Sequence, residues 1–590
     1  MKRFLLLTLL AVRGAFAAEA PSDYYTVEDI ATPPGLSAEV GGLTFTPDGR
    51  LVACFHRGEV YTYNPETKEW KLFAQGLQDP LGVIAPKNDE LIVMQRSELT
   101  RLKDTHGTGV ADSYETICDA FGMSGNYHEF AFGPLPAPDG GWFVALNVAS
   151  NGAGIRQELR GEYRERGRDG RMYSPVPWRG WIVKIAPDGK LTPWASGFRS
   201  PNGLGYDNKG RLMVSDNQGD WLGTSPLYHV EKGKFYGHPA SLAWQPGETR
   251  DPMHIPPTEL DEMRTRPSIL FPHAILANSP TQPLTDATAG KFGPYASQMF
   301  IGEMNRARII RVVPEDVDGQ MQGLAVPLLD GHGLRKGDNR FAFAPDGSLW
   351  VGETDHGWAG DKGIQRISWT GKVPLDVKEM HLTKTGFELT FTKPLETSTA
   401  SAPESFAGQR YYYEYHAAYG SPQFDLKPFT PKTVTLSEDK TKVTLEFETL
   451  DAWRIYQFDL KALKAEDGTA LENPLVCYTL NHLLTKTPPP PPPGPGAYPD
   501  DQMVKSNDKG KKKHIDAPEA QATPKPTSTP KPAASGTPAP GDKAATPKPS
   551  TTPKPSAAKP SAKATPTASP MPAPATPKPT APPSAVHGRP

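Results

Sequence analysis

The sequence predicts an all-β protein: a six-bladed β-propeller followed by an immunoglobulin-like β-sandwich and a disordered, proline-rich tail. Three observations predict this fold class. Apolar residues alternate around Pro-Asp-Gly and Asn-Lys-Gly turns through residues 24–370, as in β-hairpins. The hairpins return about every 40–50 residues, which is the spacing of propeller blades and too long for a sandwich. Residues 487–590 consist mainly of Pro, Lys, Ala and Thr, a composition that buries no core.

The first twenty residues are predicted to be a signal peptide. Lys2 and Arg3 precede the apolar run FLLLTLLAV, and the stretch Ala-Phe-Ala that ends at Ala17 fits a cleavage site. The apolar run is too short to span a bilayer, and no other stretch is apolar enough for a membrane helix. We therefore expect an exported protein, periplasmic or extracellular, without a transmembrane segment.

The propeller is predicted over residues 24–370. Its repeated unit is an apolar strand, a turn and a second apolar strand, as in GGLTFTPDGRLVACF, NGLGYDNKGRLMVSD and RFAFAPDGSLWVGET. A third strand often follows, as in GEVYTYN and IQRISW. About six such units fit, with insertions near residues 151–179 and 237–289.

The pattern changes after residue 370. GFELTFTKPL, TVTLSEDKTKVTLEFETL and RIYQFDLKAL are alternating strands with short turns, which predict an immunoglobulin-like sandwich over residues 373–484. The aromatic stretch YYYEYHAAYG fits either a binding strip or core plus an edge strand. The tail over residues 487–590 is predicted to be a spacer or a tether to the cell surface.

Charge and cysteine content narrow the function classes. The net charge is −2, but residues 487–590 hold fourteen Lys and Arg against six Asp and Glu, a charge of +8 that leaves −10 for the rest. A mildly acidic folded region argues against nucleic acid as a partner. Cys54 and Cys118 can pair in an exported protein, and buried free thiols are an equal alternative.

Two polar stretches flank one predicted hairpin. RSPNG enters its first strand, and DNQGDW leaves its second. Because loops at one mouth of a propeller build its site, Arg199 and Asn202 are expected at that mouth, with Asp216 and Asp220 beside them. This polar entrance and carboxylate-rich exit would suit a bound anion and cation.

Several stretches of the propeller resemble the soluble quinoprotein glucose and sorbosone dehydrogenase family. They are NYHEFAFGP, GKFYGHP and the segment that ends in GFRSPNGLGYDNKGRLMVSDNQGDW. The resemblance covers residues 24–370. Within the family, the stretches NYHEFAFG, PNG, DNQGDW and NSPTQP resemble a subgroup of large exported dehydrogenases in which the propeller is often joined to further domains.

The resemblance implies a dehydrogenase that uses pyrroloquinoline quinone (PQQ) and calcium on a sugar or other small alcohol, with an external electron acceptor. His128 matches the family's base, which takes the hydroxyl proton while hydride leaves the carbon. Arg199 matches the arginine on the quinone, and Ser200 and Asn202 stand where the family has Asn and Gln. The implied calcium residues are Asp216, Gly219 and Asp220.

Two departures from the family concern cations for the three carboxylates of PQQ. The family has a Lys in the blade-five strand, where this chain reads FIGEMNRARII and Arg306 is the nearest cation. The family's paired arginines before the last Pro-Asp-Gly strand are matched in part by Arg335 and Arg340, which are further candidates for cofactor binding.

Two other function classes stay open. A lactonase-type hydrolase would hold one divalent ion in the channel, with Asn202 and Glu39 as ligands, although the Glu-Gly-Pro motif expected of that family is absent. A non-catalytic propeller would bind glycan or protein, with the sandwich as a second binding module.

A second ion site is hinted at by DTHGTGVADSYE. Asp104, Gly109, Asp112 and Glu115 occupy positions 1, 6, 9 and 12 of a calcium-loop pattern, but positions 3 and 5 are His and Thr. The stretch is interpreted as a turn that no longer holds calcium.

Overall fold

The repeated hairpins form six blades of four antiparallel strands each; five blades are separate sheets, and the four strands of blade five belong to an eight-stranded sheet. The computed structural model describes residues 21–151, 159–356 and 360–495; the predicted signal peptide and residues 496–590 of the predicted tail lie outside the described residues. The first strand, β1 (Tyr25–Ile30), belongs to the last blade. Blades one and two consist of β2 (Val40–Phe45), β3 (Leu51–Phe55), β4 (Val60–Asn64), β5 (Glu69–Ala74), β6 (Gly82–Ile84), β7 (Glu90–Met94), β8 (Leu99–Lys103) and β9 (Ser113–Cys118).

Blades three and four carry the two insertions. Their strands are β10 (Ala131–Pro136), β11 (Trp142–Leu146), the ribbon β12 (Ala149–Ser150) with β13 (Met172–Tyr173), β14 (Trp181–Ile185), β15 (Leu191–Ser196), β16 (Gly203–Tyr206), β17 (Leu212–Ser215), β18 (Ser225–His229) and β19 (Ile269–Phe271). The second insertion contains two 3₁₀ turns (Pro239–Trp244, Pro252–His254) and the helix α1 (Pro257–Met263).

Blades five and six complete the ring. They consist of β20 (Pro280–Thr285), β21 (Met299–Glu303), β22 (Ile309–Val317), β23 (Gln320–Leu328), β24 (Asp338–Phe343), β25 (Leu349–Glu353) and β26 (Gly363–Trp369), with β1 as the outer strand of blade six. Tyr25 pairs with Trp369 and Ile30 with Ile364, so the first strand of the chain joins the last blade.

The predicted propeller is present. Successive innermost strands β2, β6, β10, β16, β20 and β24 lie side by side, and β24 lies against β2. One apolar cluster fills each space between neighbouring blades; between blades six and one, for example, Val40 and Leu43 pack with Trp350 and Ile364. Burying such side chains stabilises the ring by about 1.5–3 kcal/mol each.

The C-terminal strands form one separate four-stranded sheet and half of the eight-stranded sheet, and the two share one apolar core. Their elements are β27 (Val377–Leu382), β28 (Gly386–Phe391), α2 (Thr397–Ala400), a 3₁₀ turn (Pro403–Phe406), β29 (Gly408–Tyr412), β30 (Phe424–Phe429), β31 (Thr433–Leu436), β32 (Lys442–Glu446), β33 (Arg454–Asp459) and β34 (Leu475–Leu480). The sheets have the orders β27-β28-β32-β31 and β34-β33-β29-β30. The immunoglobulin-like assignment stays a prediction.

Strand pairing joins this sandwich to the propeller. Strand β34 pairs with β23, from Gly323 opposite Thr479 to Ala325 opposite Cys477, so blade five continues into the second sheet. The pairing covers an outer edge strand that would otherwise expose its backbone groups. Arg311 and Asp376, both fully buried, add an ion pair of 3.1 Å at this junction.

The first residues of the predicted tail pack on the fold. The indole Nε1 of Trp453 donates to the Pro488 carbonyl at 2.8 Å, and the Gly494 amide donates to the Tyr415 carbonyl at 3.0 Å. All three cysteines are buried free thiols, so Cys54 and Cys118 do not pair. None of the helices in the described ranges has the length and apolar character needed to cross a membrane.

Candidate functional site

A cavity of about 250 Å³ lies at one mouth of the ring. Its residues precede innermost strands, as His128 and Arg199 do, or follow the second strands of blades, as Asn217 and Thr354 do. Because the two strands run antiparallel, the start of one and the end of the next meet at the same mouth. The fold thus gathers residues that are far apart in the sequence.

His128 is held with one ring nitrogen available to the cavity. Its Nδ1 lies 2.8 Å from the Val148 carbonyl, which can only accept, so Nδ1 carries the proton. Its Nε2 lies 3.1 Å from the Ser200 hydroxyl, which donates to it. Burial, together with the nearby Arg199 guanidinium, lowers the pKa of His128 to about 3. The imidazole is therefore neutral at pH 7, with a lone pair on Nε2.

Arg199 forms a buried ion pair. Its Nε donates to Asp220 Oδ1 at 3.0 Å, and His238 Nε2 lies 3.2 Å from Asp220 Oδ2. Burial alone would raise the pKa of Asp220, but His238 and Arg199 hold it well below its usual range. Burial opposes the charge on Arg199 as well, yet Asp220 outweighs burial and the pKa of Arg199 is raised. Asp220 and Arg199 are therefore both charged at neutral pH.

Asp216 shapes the entrance to β16. Its Oδ2 accepts the Arg199 amide at 2.8 Å, and its Oδ1 accepts the amides of Ser200 and Asn217, both at 2.7 Å. Burial raises the pKa of Asp216, and these three bonds offset part of that effect. Asp216 thus turns the Arg-Ser-Pro-Asn segment toward the cavity with both of its oxygens.

Gly219 makes room for the guanidinium. A Cβ at this position would lie 1.9 Å from Arg199 Nε, so only glycine leaves room for the Arg199 side chain to pack against the backbone here. The Gly219 carbonyl accepts the amide of Gly420, and Asp220 forms a bridge with Tyr419. The aromatic stretch of the sandwich thus docks on DNQGDW, and Tyr419 lines the cavity with its ring 5.5 Å from the Arg199 guanidinium.

Asn202 and Arg340 lie at the floor of the cavity. Arg340 Nη1 donates to Asn202 Oδ1 at 3.2 Å and to the Asn339 carbonyl at 2.7 Å, and Arg340 also bonds the Leu81 carbonyl. Burial lowers the pKa of Arg340 to about 10. Asn202 also lines a second cavity of about 400 Å³ along the innermost strands, whose lining includes Arg340. Arg340 therefore lies beneath the site rather than in its lining.

The other predicted cations lie elsewhere. Arg335 pairs with Glu353 at 2.7 Å and with Asp29 at 3.5 Å, and it does not line the cavity. The guanidinium of Arg306 donates to the Ala274 carbonyl. Arg199 is the only Arg or Lys among the described residues that line the cavity.

Sequence reasoning missed part of the lining. His56 and His356 line the cavity, and Asp79 lies against them. His56 follows β3 and His356 follows β25. Arg199 was predicted because it is a polar residue at the end of a strand that faces the mouth, and the same reasoning would have found these two histidines. Tyr419 carried no such signal, because it arrives from the sandwich.

The calcium-like loop is a turn between β8 and β9, as interpreted. Asp104 Oδ1 accepts the Thr108 amide at 2.9 Å, and Asp112 accepts the Thr105 amide and pairs with His106. Both carboxylates are bonded within the loop itself.

Comparisons with known proteins give a partial family match and distant structural likenesses. The family model described as a domain of unknown function (DUF7133) matches residues 66–258. None of the curated proteins searched matches the chain.

Solved structures that resemble the chain include three described as dehydrogenases. One is an oxidoreductase (glucose dehydrogenase) of Thermus thermophilus, with 18% identity over 58% of this chain and 99% of that chain, at a TM-score of 0.41. A PQQ-bound aldose sugar dehydrogenase of Streptomyces coelicolor has 16% identity over 59% and 100%, at 0.37. The PQQ domain of pyranose dehydrogenase from Coprinopsis cinerea has 13% identity over 59% and 96%, at 0.40. No residue of this chain takes its role from these likenesses.

Proposed function

We propose that the chain is an exported dehydrogenase-like enzyme that oxidises a sugar or related alcohol in the central cavity. One observation carries the proposal: His128, Arg199, Ser200 and Asn202, predicted from separate stretches, all line a single cavity. The neutral Nε2 of His128 faces Ser200 within it, where a substrate hydroxyl would find its proton acceptor.

The rest of the lining suits an uncharged polyol. It holds seven carboxamide side chains, those of Asn147, Asn202, Asn217, Gln218, Asn278, Asn305 and Asn339. Each amide both donates and accepts, as hydroxyl groups do. Phe130 and Phe132 are stacked at 5.9 Å on one wall, an apolar surface of the kind that accompanies polar groups in small-molecule sites. No Asp or Glu of the described chain lines the cavity.

In this proposal, each residue has a defined task. The Val148 carbonyl keeps the proton of His128 on Nδ1. The Ser200 hydroxyl donates a hydrogen bond to Nε2 until a substrate hydroxyl replaces it. The hydroxyl proton would then pass to Nε2, and the two electrons and hydrogen of the C–H bond would pass as hydride to an external two-electron acceptor, which the dye supplies in the assay below. Arg199, kept charged by Asp220, stabilises negative charge that develops nearby.

The calcium residues implied by the resemblance do not fit calcium as they stand. Asp216 has both oxygens on backbone amides, and Asp220 has both on Arg199 and His238. Calcium takes six to eight oxygen ligands, as a general rule, and these carboxylates would first have to leave strong partners.

The residues present also do not fit the three carboxylates of PQQ. Such a group needs several cations, whereas the described lining offers Arg199 alone, already paired with Asp220. PQQ supplies a hydride acceptor in the proteins that bind it, and the tasks assigned above to His128, Ser200 and Arg199 do not depend on it. The same lack of cations favours a second candidate function, a propeller that binds neutral glycan without chemistry.

The lactonase alternative finds no shared ion site. Asn202 accepts a hydrogen bond from Arg340 and lies 3.5 Å from Asn339. Glu39 does not line the cavity and instead bonds Ser37 and His356.

One experiment separates the candidates. The purified chain is titrated with PQQ and CaCl₂ while cofactor absorbance is recorded, and dye reduction is then measured with a panel of aldoses and alditols. The dehydrogenase proposal expects sugar-dependent dye reduction, whether or not PQQ binds, that falls by roughly two to four orders of magnitude in His128→Gln. His106→Gln, which changes a surface histidine outside the cavity, is the matched control and should retain the wild-type rate. Sugar binding by calorimetry without any dye reduction would instead identify the binding propeller.

A further inference from the structure

Three side chains from three different loops converge at one wall of the cavity. His56 follows β3, Asp79 precedes β6 and His356 follows β25, and their ligand atoms all lie within 4.8 Å of one another. We propose that His56, Asp79 and His356 form a binding site for a divalent first-row transition-metal ion. This site is distinct from the calcium residues considered above.

The separations suit one ion after small movements. Asp79 Oδ1 lies 2.7 Å from His56 Nδ1 and 3.7 Å from His356 Nε2. Ligands bound at about 2.1 Å in tetrahedral or octahedral geometry are roughly 3.0–3.4 Å apart. The two measured distances lie on either side of that interval, so side-chain shifts of well under 1 Å bring both into it.

Contacts behind the ligands orient them. Arg96 donates to Asp79 Oδ2 at 2.9 and 2.7 Å, which leaves Oδ1 facing the two histidines. Glu39 Oε2 lies 2.9 Å from His356 Nδ1 and accepts a hydrogen bond from it. His356 Nε2 is therefore unprotonated and has its lone pair near Asp79. A carboxylate behind a ligating histidine is the usual supporting contact of metal sites.

The site is accessible and incomplete, as a site that binds a further ligand must be. The side chains of His56, Asp79 and His356 are 4%, 15% and 28% exposed, so an ion can enter past His356. His56 Nδ1 bonds Asp79 Oδ1 at 2.7 Å, so Nδ1 binds an ion only once its proton has moved to Nε2, which is buried and has no hydrogen-bond partner among the described residues. Three protein ligands leave a coordination position for water or a hydroxyl group of a molecule in the cavity.

The ligand types select the class of ion. Two imidazoles and one carboxylate suit Zn²⁺, Co²⁺ or Fe²⁺, whereas Ca²⁺ takes oxygen ligands. Arg96 and Lys362 neutralise much of the charge of Asp79 and Glu39, so binding rests on the histidines more than on electrostatic attraction.

The test uses the full chain after removal of metals with EDTA. Zn²⁺ binding is measured by calorimetry, and Co²⁺ binding by its visible absorbance. We expect one equivalent of ion at this site, a loss of affinity greater than tenfold in His56→Gln and His356→Gln, and a loss of about 10–100-fold in the supporting variant Glu39→Gln. His106→Gln is the matched control, because His106 pairs with Asp112 on the surface without a third ligand; it should bind as the wild type does.

Two results would overturn the proposal. One is a wild-type chain that binds neither Zn²⁺ nor Co²⁺ stoichiometrically, and the other is unchanged affinity in His356→Gln. If the buried change His56→Gln prevents folding, His356→Gln decides alone, because His356 is partly exposed and its melting temperature without metal can be matched to the wild type. The readout is metal binding, so it is independent of any dehydrogenase activity.

Discussion

The buried Arg199–Asp220 pair gives a prediction that can be worked through quantitatively. In Asp220→Asn, the side chain keeps its size but loses its charge, which leaves the Arg199 guanidinium without its partner. The side chains are 8% and 2% exposed, so water screens neither of them effectively. Removing one partner of such a pair costs about 3–5 kcal/mol.

The pH dependence follows from the lowered pKa of Asp220. A carboxyl group with a lower pKa in the folded chain than in the unfolded chain, about 3.9, contributes stability that is fully present above that value. This contribution is lost as the pH falls through the folded-state pKa. The stability difference between wild type and Asp220→Asn should therefore be constant from pH 7 to about 5 and narrow below about pH 4.

The assay is guanidinium unfolding followed by tryptophan fluorescence at pH 7, 5, 4 and 3. Asp459→Asn is the control, because Asp459 pairs with Lys461 on the surface, where both side chains are more than half exposed. Its effect should be below about 1 kcal/mol. The reasoning would be refuted if the unfolding free energies of wild type and Asp220→Asn differed by less than about 1 kcal/mol at pH 7. It would also be refuted if that difference did not become smaller between pH 4 and pH 3.

Three further predictions concern the site and the tail. Gly219→Ala places a methyl group against Arg199 and should destabilise the chain by about 1–3 kcal/mol, measured by the same unfolding assay; an unchanged midpoint would contradict the packing described. Truncation after residue 495 should leave the melting temperature unchanged, whereas truncation after residue 484 also removes the hydrogen-bond partners Pro488, Gly494 and Thr487. The loss of these three hydrogen bonds should cost about 1–3 kcal/mol in calorimetry; equal melting temperatures would show that the bonds contribute nothing. Because its pKa is lowered to about 3, His128 should stay neutral down to about pH 4, so ¹⁵N NMR should show no ring protonation between pH 7 and 5; titration near 6.5 would contradict the buried setting.

The hairpins could be predicted from the sequence because their signals are local. In two Pro-Asp-Gly turns, Gly49 and Gly347 adopt φ of 85° and 93°, a region that glycine enters without strain. The alternation on either side sets which residues face neighbouring blades. The pairing of β1 with β26 could not be predicted, because it joins residues that are more than 300 positions apart and leaves no local pattern.

Part of the site could also be predicted from local sequence signals. His128, Arg199, Ser200 and Asn202 stand at strand starts, and strand starts meet at one mouth. The role of Asp216 could not be predicted, because a carboxylate that binds backbone amides and one that binds an ion have the same sequence context.

The sequence could not predict that the sandwich contributes a residue, Tyr419, to the cavity. The sequence allowed either a binding strip or core for the aromatic stretch; in the structure Tyr411 is buried in β29 and Tyr419 lines the cavity. Only the docking of residues 416–421 on DNQGDW brings Tyr419 there, and docking between distant segments depends on shape rather than on any local pattern.

The central claim is that His128 takes the proton from a sugar hydroxyl in the cavity. It is tested most directly by the rate of sugar-dependent dye reduction in His128→Gln relative to wild type, with the dye and the most active sugar of the panel supplied in excess. We predict a fall in turnover of roughly two to four orders of magnitude, the usual contribution of a general base, with sugar binding by calorimetry changed much less. Turnover that is unaltered in His128→Gln would contradict the claim and show that another group accepts the proton.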